Sequence, residues 1–179
     1  MITCEHEKLR IDVIHESKHI GAAVGCYPDR NGDNQKWSFE MTNKSEHGEE
    51  NTTNHGNAGN INPQSGPTYP DEAMVDLNSW FFIRNPVSGL VLDSTTKSQV
   101  KLARHNPQSL YQMWKRGPNQ SIYCKGHGSN LVLDFDVDDF KRNGWGKIFL
   151  NQPHHDQNQQ WILGMCIFSS FKIEDFFYK

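Results

Sequence analysis

Three stretches of this chain place apolar residues two positions apart, and each stretch ends in an aspartate. The stretches are Leu9-Arg10-Ile11-Asp12, Leu90-Val91-Leu92-Asp93 and Leu131-Val132-Leu133-Asp134. Each is followed 21 to 27 residues after its aspartate by the tryptophan of a Gln-x-Trp motif, at Trp37, Trp114 or Trp161. Alternation with a period of two, bounded by Gly, Pro, Asn and Ser, is typical of β-strands. The pattern therefore predicts an all-β protein built from three internal repeats.

Each repeat predicts four short strands. In the middle repeat these are Phe82-Ile83-Arg84, Leu90-Val91-Leu92, Val100-Lys101-Leu102 and a strand opened by Trp114. No helical stripe is longer than a turn or two. No single repeat can bury its own apolar face, so we expect three of them to pack around one core. The expected inward residues are Leu9, Ile11, Val24, Leu90, Leu92, Val100, Leu131, Leu133, Ile148 and the three Trp residues.

The spacing of the repeats is uneven. Asp93 and Asp134 are 41 positions apart, whereas Asp12 and Asp93 are 81 apart. The extra residues, 41–79, contain neither motif and are rich in Asn, Gly, Thr and Pro, which predicts a flexible polar insertion. We therefore divide a single domain, residues 1–179, into repeat 1 (about 1–40), the insertion (41–79), repeat 2 (80–118), repeat 3 (119–165) and a tail (166–179). The tail alternates apolar residues, and we expect it to pair near the short N-terminal strand.

The order of these motifs resembles the ricin B-type, or Gln-x-Trp, family of β-trefoil lectins. The resemblance covers nearly the whole chain except about residues 41–79 and the tail. It implies a β-trefoil fold and a non-catalytic carbohydrate-binding function, directed at glycans or glycoconjugates ending in galactose or N-acetylgalactosamine. It also implies a sugar site made from the Asp after the second strand, an aromatic ring after the third, and the Asn before the Gln of Gln-x-Trp.

Repeat 1 matches all parts of that site, with Asp12, Tyr27 and the pair Asn34-Gln35. The chemistry suits a pyranose, because a carboxylate accepts two hydroxyl protons, an amide donates and accepts, and a ring covers the C–H face. The alternative is that Asp12 caps a turn and Tyr27 is an ordinary surface residue. In either case we expect Asp12 to be an exposed turn carboxylate that contributes little to stability.

Repeats 2 and 3 depart from the pattern. Repeat 3 keeps Asp134 and the pair Asn158-Gln159, but Asn151 stands at the aromatic position. There His154, Trp145 or Phe149 is a candidate for covering the sugar, and the hypothesis that this repeat binds stays open. Repeat 2 has Ala103 at the aromatic position and Tyr111 in place of Asn. We expect repeat 2 to keep the fold without binding a ligand.

Two clusters have the residue types of metal ligands. The segment 134–139 alternates carboxylates but lacks the Gly at the sixth position and the Glu at the twelfth that a calcium-binding EF-hand has, so we favour a solvated acidic loop. His154-His155-Asp156 is interpreted as an exposed polar loop. No phosphate-binding glycine loop or nucleophile motif is present in the sequence, and we predict no cofactor and no catalysis.

Composition narrows the remaining choices. The 179 residues carry a formal net charge of −3, which is not the basic balance of nucleic-acid binders, and the sequence contains no apolar run long enough for membrane insertion. The N-terminus is too polar for a signal peptide, and Cys26 and Cys124 lie in apolar alternation as buried thiols. We therefore expect a cytoplasmic protein, with secretion by a non-classical route as the other option.

Two hypotheses of function remain. The first is a lectin, whose single shallow site gains useful affinity from a second site or from a homo-oligomer. The alternative is a sugar-blind β-trefoil that serves as a protein-interaction or scaffold module. Retention of Asp12, Tyr27 and Asn34 together favours the lectin, whereas the two incomplete repeats favour the scaffold. Fold alone does not decide between them.

Overall fold

A computed structural model describes residues 1–42, 78–128 and 130–164 of the chain. These residues form twelve β-strands, four in each repeat. The strands are β1 (Ile2–Cys4), β2 (Arg10–Val13), β3 (Val24–Tyr27), β4 (Ser38–Met41), β5 (Phe81–Arg84), β6 (Val91–Thr96), β7 (Gln99–Ala103), β8 (Trp114–Arg116), β9 (Ile122–Cys124), β10 (Val132–Phe135), β11 (Gly146–Asn151) and β12 (Trp161–Leu163).

Short helical segments connect the strands. One α-helix, α1, runs from Val137 to Asn143. The 3-10 turns of the described residues are His6–Lys8, Ile14–Glu16, Asp33–Gln35, Leu110–Gln112, Pro118–Gln120, Lys125–His127 and Gln157–Gln159. None of the helices in the described ranges is long and apolar enough to cross a membrane.

All strand pairs are antiparallel, and the pairing closes the chain on itself. The strands β2 and β3, β6 and β7, and β10 and β11 form one hairpin per repeat. Strand β8 pairs with β9, β4 pairs with β5, and β1 pairs with β12. Three four-stranded units around a common core make a β-trefoil, so the predicted fold class is confirmed.

The core has the composition that the alternation predicts. Every expected inward residue is buried except Leu90, which is partly buried against the core. The indole of each Gln-x-Trp motif is at most 1% exposed. Burial of three large aromatic side chains at repeated positions accounts for much of the apolar contact that holds the units together.

The alternation fails at the residue between the two leucines. Val91 and Val132 were expected to point outward, but both are fully buried. Val91 packs with Phe82 and Met113, and Trp80 lies against this second, smaller cluster. Neighbouring elements therefore cover the outer face of the hairpin. The alternation within one strand cannot predict this contact, because it depends on residues from other strands.

The hairpins of different repeats also touch one another. Strand β11 of repeat 3 pairs with β3 of repeat 1 at Gly146 and Cys26. Gly25 lies so close to this junction that a Cβ on it would stand 2.7 Å from the carbonyl oxygen of Gly146. A residue without a side chain is therefore needed at Gly25 for the two hairpins to meet.

Most of the predicted insertion and the tail lie outside the described residues, except that β4 continues to Met41. The residues flanking the gap are adjacent, because the Thr42 amide donates to the Trp80 carbonyl oxygen over 3.1 Å. Strand β1 already has β12 on one side and β2 on the other. Both edges of β1 are therefore paired within the described residues, and the expected position of the tail stays a prediction.

Candidate functional site

The three aspartates occupy one equivalent position in the three hairpins. Asp12 is paired with Gly25, Asp93 with Lys101, and Asp134 with Phe149. Two residues away along each hairpin, the partner strand carries Tyr27, Ala103 or Asn151. The register thus places these three residues at a single structural position, as the sequence alignment predicts.

The Gln-x-Trp motif fixes each aspartate from two sides. The indole Nε1 of Trp37 donates to the carbonyl oxygen of Ile11, the residue before Asp12, over 3.0 Å. Trp114 and Trp161 make the equivalent bonds to Leu92 and Leu133. The tryptophan therefore fills the core and also holds the backbone that presents the carboxylate.

The glutamine of each motif lies at the end of a 3-10 turn and supports the carboxylate from behind. Gln35 Nε2 donates to Asp12 Oδ2 over 2.9 Å and to the carbonyl oxygen of Pro28 over 2.9 Å. Gln112 and Gln159 make the same pair of bonds in their repeats. Gln35 and Gln159, which we predicted among the binding residues, are buried, so the structure gives both a positioning role.

In repeat 1, Asp12 is 5% exposed and accepts one side-chain hydrogen bond on each oxygen. The second bond comes from Asn34 Nδ2, 2.8 Å from Oδ1. The expectation of an exposed turn carboxylate was wrong, because the Asn34 and Gln35 amides enclose the group. Burial raises the pKa of Asp12 above the ordinary value, and the hydrogen bonds from Gln35 and Asn34 oppose that rise.

Tyr27 lies at the end of β3, partly buried, on the same face of the hairpin as Asp12. Its ring is covered by a residue that the sequence analysis did not single out. The guanidinium carbon of Arg30 lies 4.3 Å from the ring centroid, and Arg30 Nη2 donates to the Tyr27 hydroxyl over 2.8 Å. The sequence signal that could have predicted this contact is the position of Arg30, three residues after Tyr27.

A second aromatic ring borders this site from repeat 3. Trp145, which we considered for the repeat 3 site, instead lies against Gly25, the residue that pairs with Asp12 across the hairpin. A shallow depression of about 100 Å³ adjoins Asn34, between the loop after β2 and the β5–β6 turn. Neither Asp12 nor Tyr27 lines this depression.

Repeat 3 brings all its predicted polar residues together around Asp134. Asn158 Nδ2 donates to Oδ1 over 2.7 Å, and Asn151 Nδ2 donates to Oδ2 over 3.0 Å. His154 Nε2 is 3.1 Å from the same Oδ2, which also accepts from Gln159. Oδ2 thus has three neighbours and Oδ1 has one, so this carboxylate, which is 1% exposed, is more fully bonded by the protein than Asp12 is.

Repeat 2 is filled in another way. Thr95 donates to Asp93 Oδ1 from its backbone amide, over 2.8 Å, and also from its hydroxyl. Tyr111 occupies the position of the missing Asn and lies against the imidazole of His127, with ring centroids 5.1 Å apart. Thr95 thus bonds Oδ1 of Asp93, the oxygen that corresponds to the one bonded by Asn34 in repeat 1.

The acidic segment after Asp134 has a structural explanation. The Asp136 side chain caps α1 by accepting from the Asp139 amide over 2.8 Å. Asp139 accepts from Asn143 and from the Lys147 amide. No cluster of three metal-type side chains occurs in the described ranges.

Comparison with known proteins gives structural matches only. No protein-family model matches this chain, and no curated protein matches its sequence. The designed three-fold symmetric protein ThreeFoil has a TM-score of 0.61 and 18% identity, over 89% of this chain and 93% of its own. The C-half of an earthworm R-type lectin, solved with GalNAc, has a TM-score of 0.56 and 16% identity, over 90% and 93% of the two chains. The Rhizoctonia solani agglutinin has a TM-score of 0.56 and 14% identity, over 89% of each chain. At these identities the matches show a shared β-trefoil fold.

Proposed function

We propose that this chain is a non-catalytic carbohydrate-binding protein, a lectin, with its binding site around Asp12 in repeat 1. The ligand is a glycan or glycoconjugate that ends in galactose or N-acetylgalactosamine. This sugar preference rests on the resemblance to ricin B-type lectins and on the earthworm lectin solved with GalNAc.

One observation supports the choice of repeat 1 above the others. An ionised carboxylate offers about four lone-pair positions. Asp12 uses two of them within the described part of the chain, whereas Asp134 and Asp93 receive additional donors. Asp12 is therefore the aspartate with acceptor capacity left for two sugar hydroxyls.

The neighbouring side chains supply the remaining chemistry of a pyranose site. Within the described residues the side-chain oxygen of Asn34 accepts no hydrogen bond, so it can accept one from a further sugar hydroxyl. Tyr27 offers a ring to the apolar C–H face of the sugar once Arg30 moves aside. Gln35 and Trp37 hold Asp12 in place, so the carboxylate needs little rearrangement on binding.

A site of this kind binds weakly. A few net hydrogen bonds and one ring contact give a dissociation constant on the order of millimolar, roughly 4 kcal/mol. A homo-oligomer that presents several copies of repeat 1 would raise the avidity without any new contact.

The alternative function is a sugar-blind interaction module. It is favoured by repeats 2 and 3, where additional protein side chains bond the carboxylates of Asp93 and Asp134. The experiment that separates the two is chromatography on immobilised lactose, followed by elution with free galactose or with glucose. The lectin proposal expects retention and specific release by galactose. A Tyr27→Ala variant should elute earlier, because loss of an aromatic contact costs about 0.5–1.5 kcal/mol. Flow-through of the parent protein here and in a wider glycan screen would leave the interaction module as the function.

A further inference from the structure

Arg30 occupies the ring face that a sugar would use in repeat 1. Its guanidinium stacks over Tyr27 at 4.3 Å and bonds the Tyr27 hydroxyl at 2.8 Å. A planar guanidinium on an aromatic ring is a favourable contact that has to be given up when another group takes its place. Arg30 therefore controls access to Tyr27.

The internal repeats allow the position of Arg30 to be compared with its equivalents in repeats 2 and 3. The backbone amide of Arg30 donates to Gln35 Oε1 over 2.9 Å. The same bond joins Asn106 to Gln112 and His154 to Gln159, both over 2.8 Å. Arg30 and His154 are thus equivalent, and the His154 ring contacts its aspartate. The side chain at this position reaches the carboxylate site in two different repeats.

Arg30 differs from Arg10 and Lys36, two other cations of repeat 1, because it has no carboxylate partner among the described residues. Arg10 pairs with Asp29 at 2.5 Å, and Lys36 pairs with Asp33 at 2.7 Å. For Arg30, the structure of residues 1–42, 78–128 and 130–164 records a bond to the Tyr27 hydroxyl and no ion pair. Its positive charge acts on Asp12 without neutralising it through direct contact. A guanidinium in this state is ready to accept an external anion.

We propose that Arg30 determines the specificity of the repeat 1 site and selects glycans that carry an anionic group, a carboxylate or a sulfate ester, beside the galactose-type sugar. The inference rests on the proposed lectin function. When the ligand binds, the guanidinium leaves the Tyr27 ring and pairs with the anion, and the ring becomes free for the C–H face of the sugar. A neutral sugar also displaces Arg30 but offers it no partner in return, so it binds less tightly.

The test compares three ligands that share one sugar core. Lactose, sialyllactose and 3′-sulfolactose are titrated into the full chain and followed by NMR chemical shifts, which suit millimolar affinities. For the parent we expect both acidic ligands to bind at least about fivefold more tightly than lactose, with the advantage decreasing as salt is added. Binding of only one acidic ligand supports the proposal and identifies the anion as carboxylate or sulfate.

Variants locate the effect at Arg30. Arg30→Gln should bind all three ligands equally and lactose at least as well as the parent, because the Tyr27 ring is uncovered. Arg30→Lys keeps the charge but not the planar fork, so it should retain part of the preference. Lys36→Gln is the matched control, since it removes one positive charge from the same repeat and should leave the preference unchanged. Arg30 is exposed, so its replacement should not disturb folding.

Two results overturn the inference in distinguishable ways. Equal affinity of the parent for neutral and acidic ligands, or an acidic preference that survives in Arg30→Gln, refutes the role of Arg30 and leaves the lectin function standing. Absence of binding to all three ligands refutes the lectin function itself.

Discussion

Replacing Asp12 by Asn separates the binding role of the carboxylate from its structural role. The substitution keeps the shape of the side chain and removes one acceptor oxygen. Asp93→Asn makes the same change at the equivalent position of repeat 2, where Thr95 already donates twice to the carboxylate. The pair is therefore matched in fold position and differs in the predicted ability to bind sugar.

The size of the stability change follows from the bonds around Asp12. The Asn variant can still accept from one of the two amides, Asn34 or Gln35, but it turns its own NH₂ group towards the other. One buried donor then lacks an acceptor, and this costs about 1–3 kcal/mol. Burial raises the pKa of Asp12, which shows that the folded protein disfavours the charge, and removing the charge offsets part of the loss. We expect a net destabilisation of about 1–2 kcal/mol, or a decrease in Tm of about 2–8 °C.

The assays are urea denaturation for both variants and titration with the glycan that the parent binds best. We expect both variants to be destabilised by similar amounts, but only Asp12→Asn should lose binding. Unchanged binding by Asp12→Asn, or equal loss by Asp93→Asn, would show that the site does not lie in repeat 1.

Three further outcomes are expected. Lowering the pH should weaken sugar binding as Asp12 becomes protonated, and because its pKa is raised this weakening should begin above the ordinary carboxyl pKa of 3.8; lactose titrations between about pH 4 and 7 test this. For folding the sign is opposite: the raised pKa means that Asp12 favours folding most at low pH, and this contribution is lost as the pH rises through the raised pKa. Trp37→Ala should cost about 3–5 kcal/mol, because it empties a core position and removes the bond to Ile11, and a denaturation midpoint equal to that of the parent would contradict this. Deletion of residues 44–76 should leave Tm and sugar binding nearly unchanged, since Thr42 and Trp80 are already adjacent and loop closure depends only weakly on length; a large decrease in Tm would refute it.

Short-range pattern determined the fold of this chain. Period-two alternation placed Leu and Ile of each repeat in the core, and Gln-x-Trp marked the start of the closing strand at Trp114 and Trp161. Repetition of these signals identified Asp12, Asp93 and Asp134 as equivalent before any contact was known. Such predictions succeed because strand periodicity and the burial of large aromatic residues depend on nearest neighbours and on residue type.

The tertiary structure decided how many hydrogen-bond donors surround each of the three aspartates. Asp93 accepts twice from Thr95, and Asp134 has Asn151 and His154 as further neighbours. Among the described residues Asp12 accepts side-chain hydrogen bonds from Asn34 and Gln35 alone, and Arg30 lies over the neighbouring ring. Thr95 lies two residues after its aspartate, whereas Asn151 and His154 lie 17 and 20 residues after theirs, so spacing along the chain does not show which side chains reach a carboxylate. Hydrogen-bond saturation is a property of three-dimensional proximity, because each acceptor has a fixed capacity and the nearest donor uses it. The sequence therefore determined the positions of three equivalent aspartates, and only packing between loops decided how many donors each carboxylate receives.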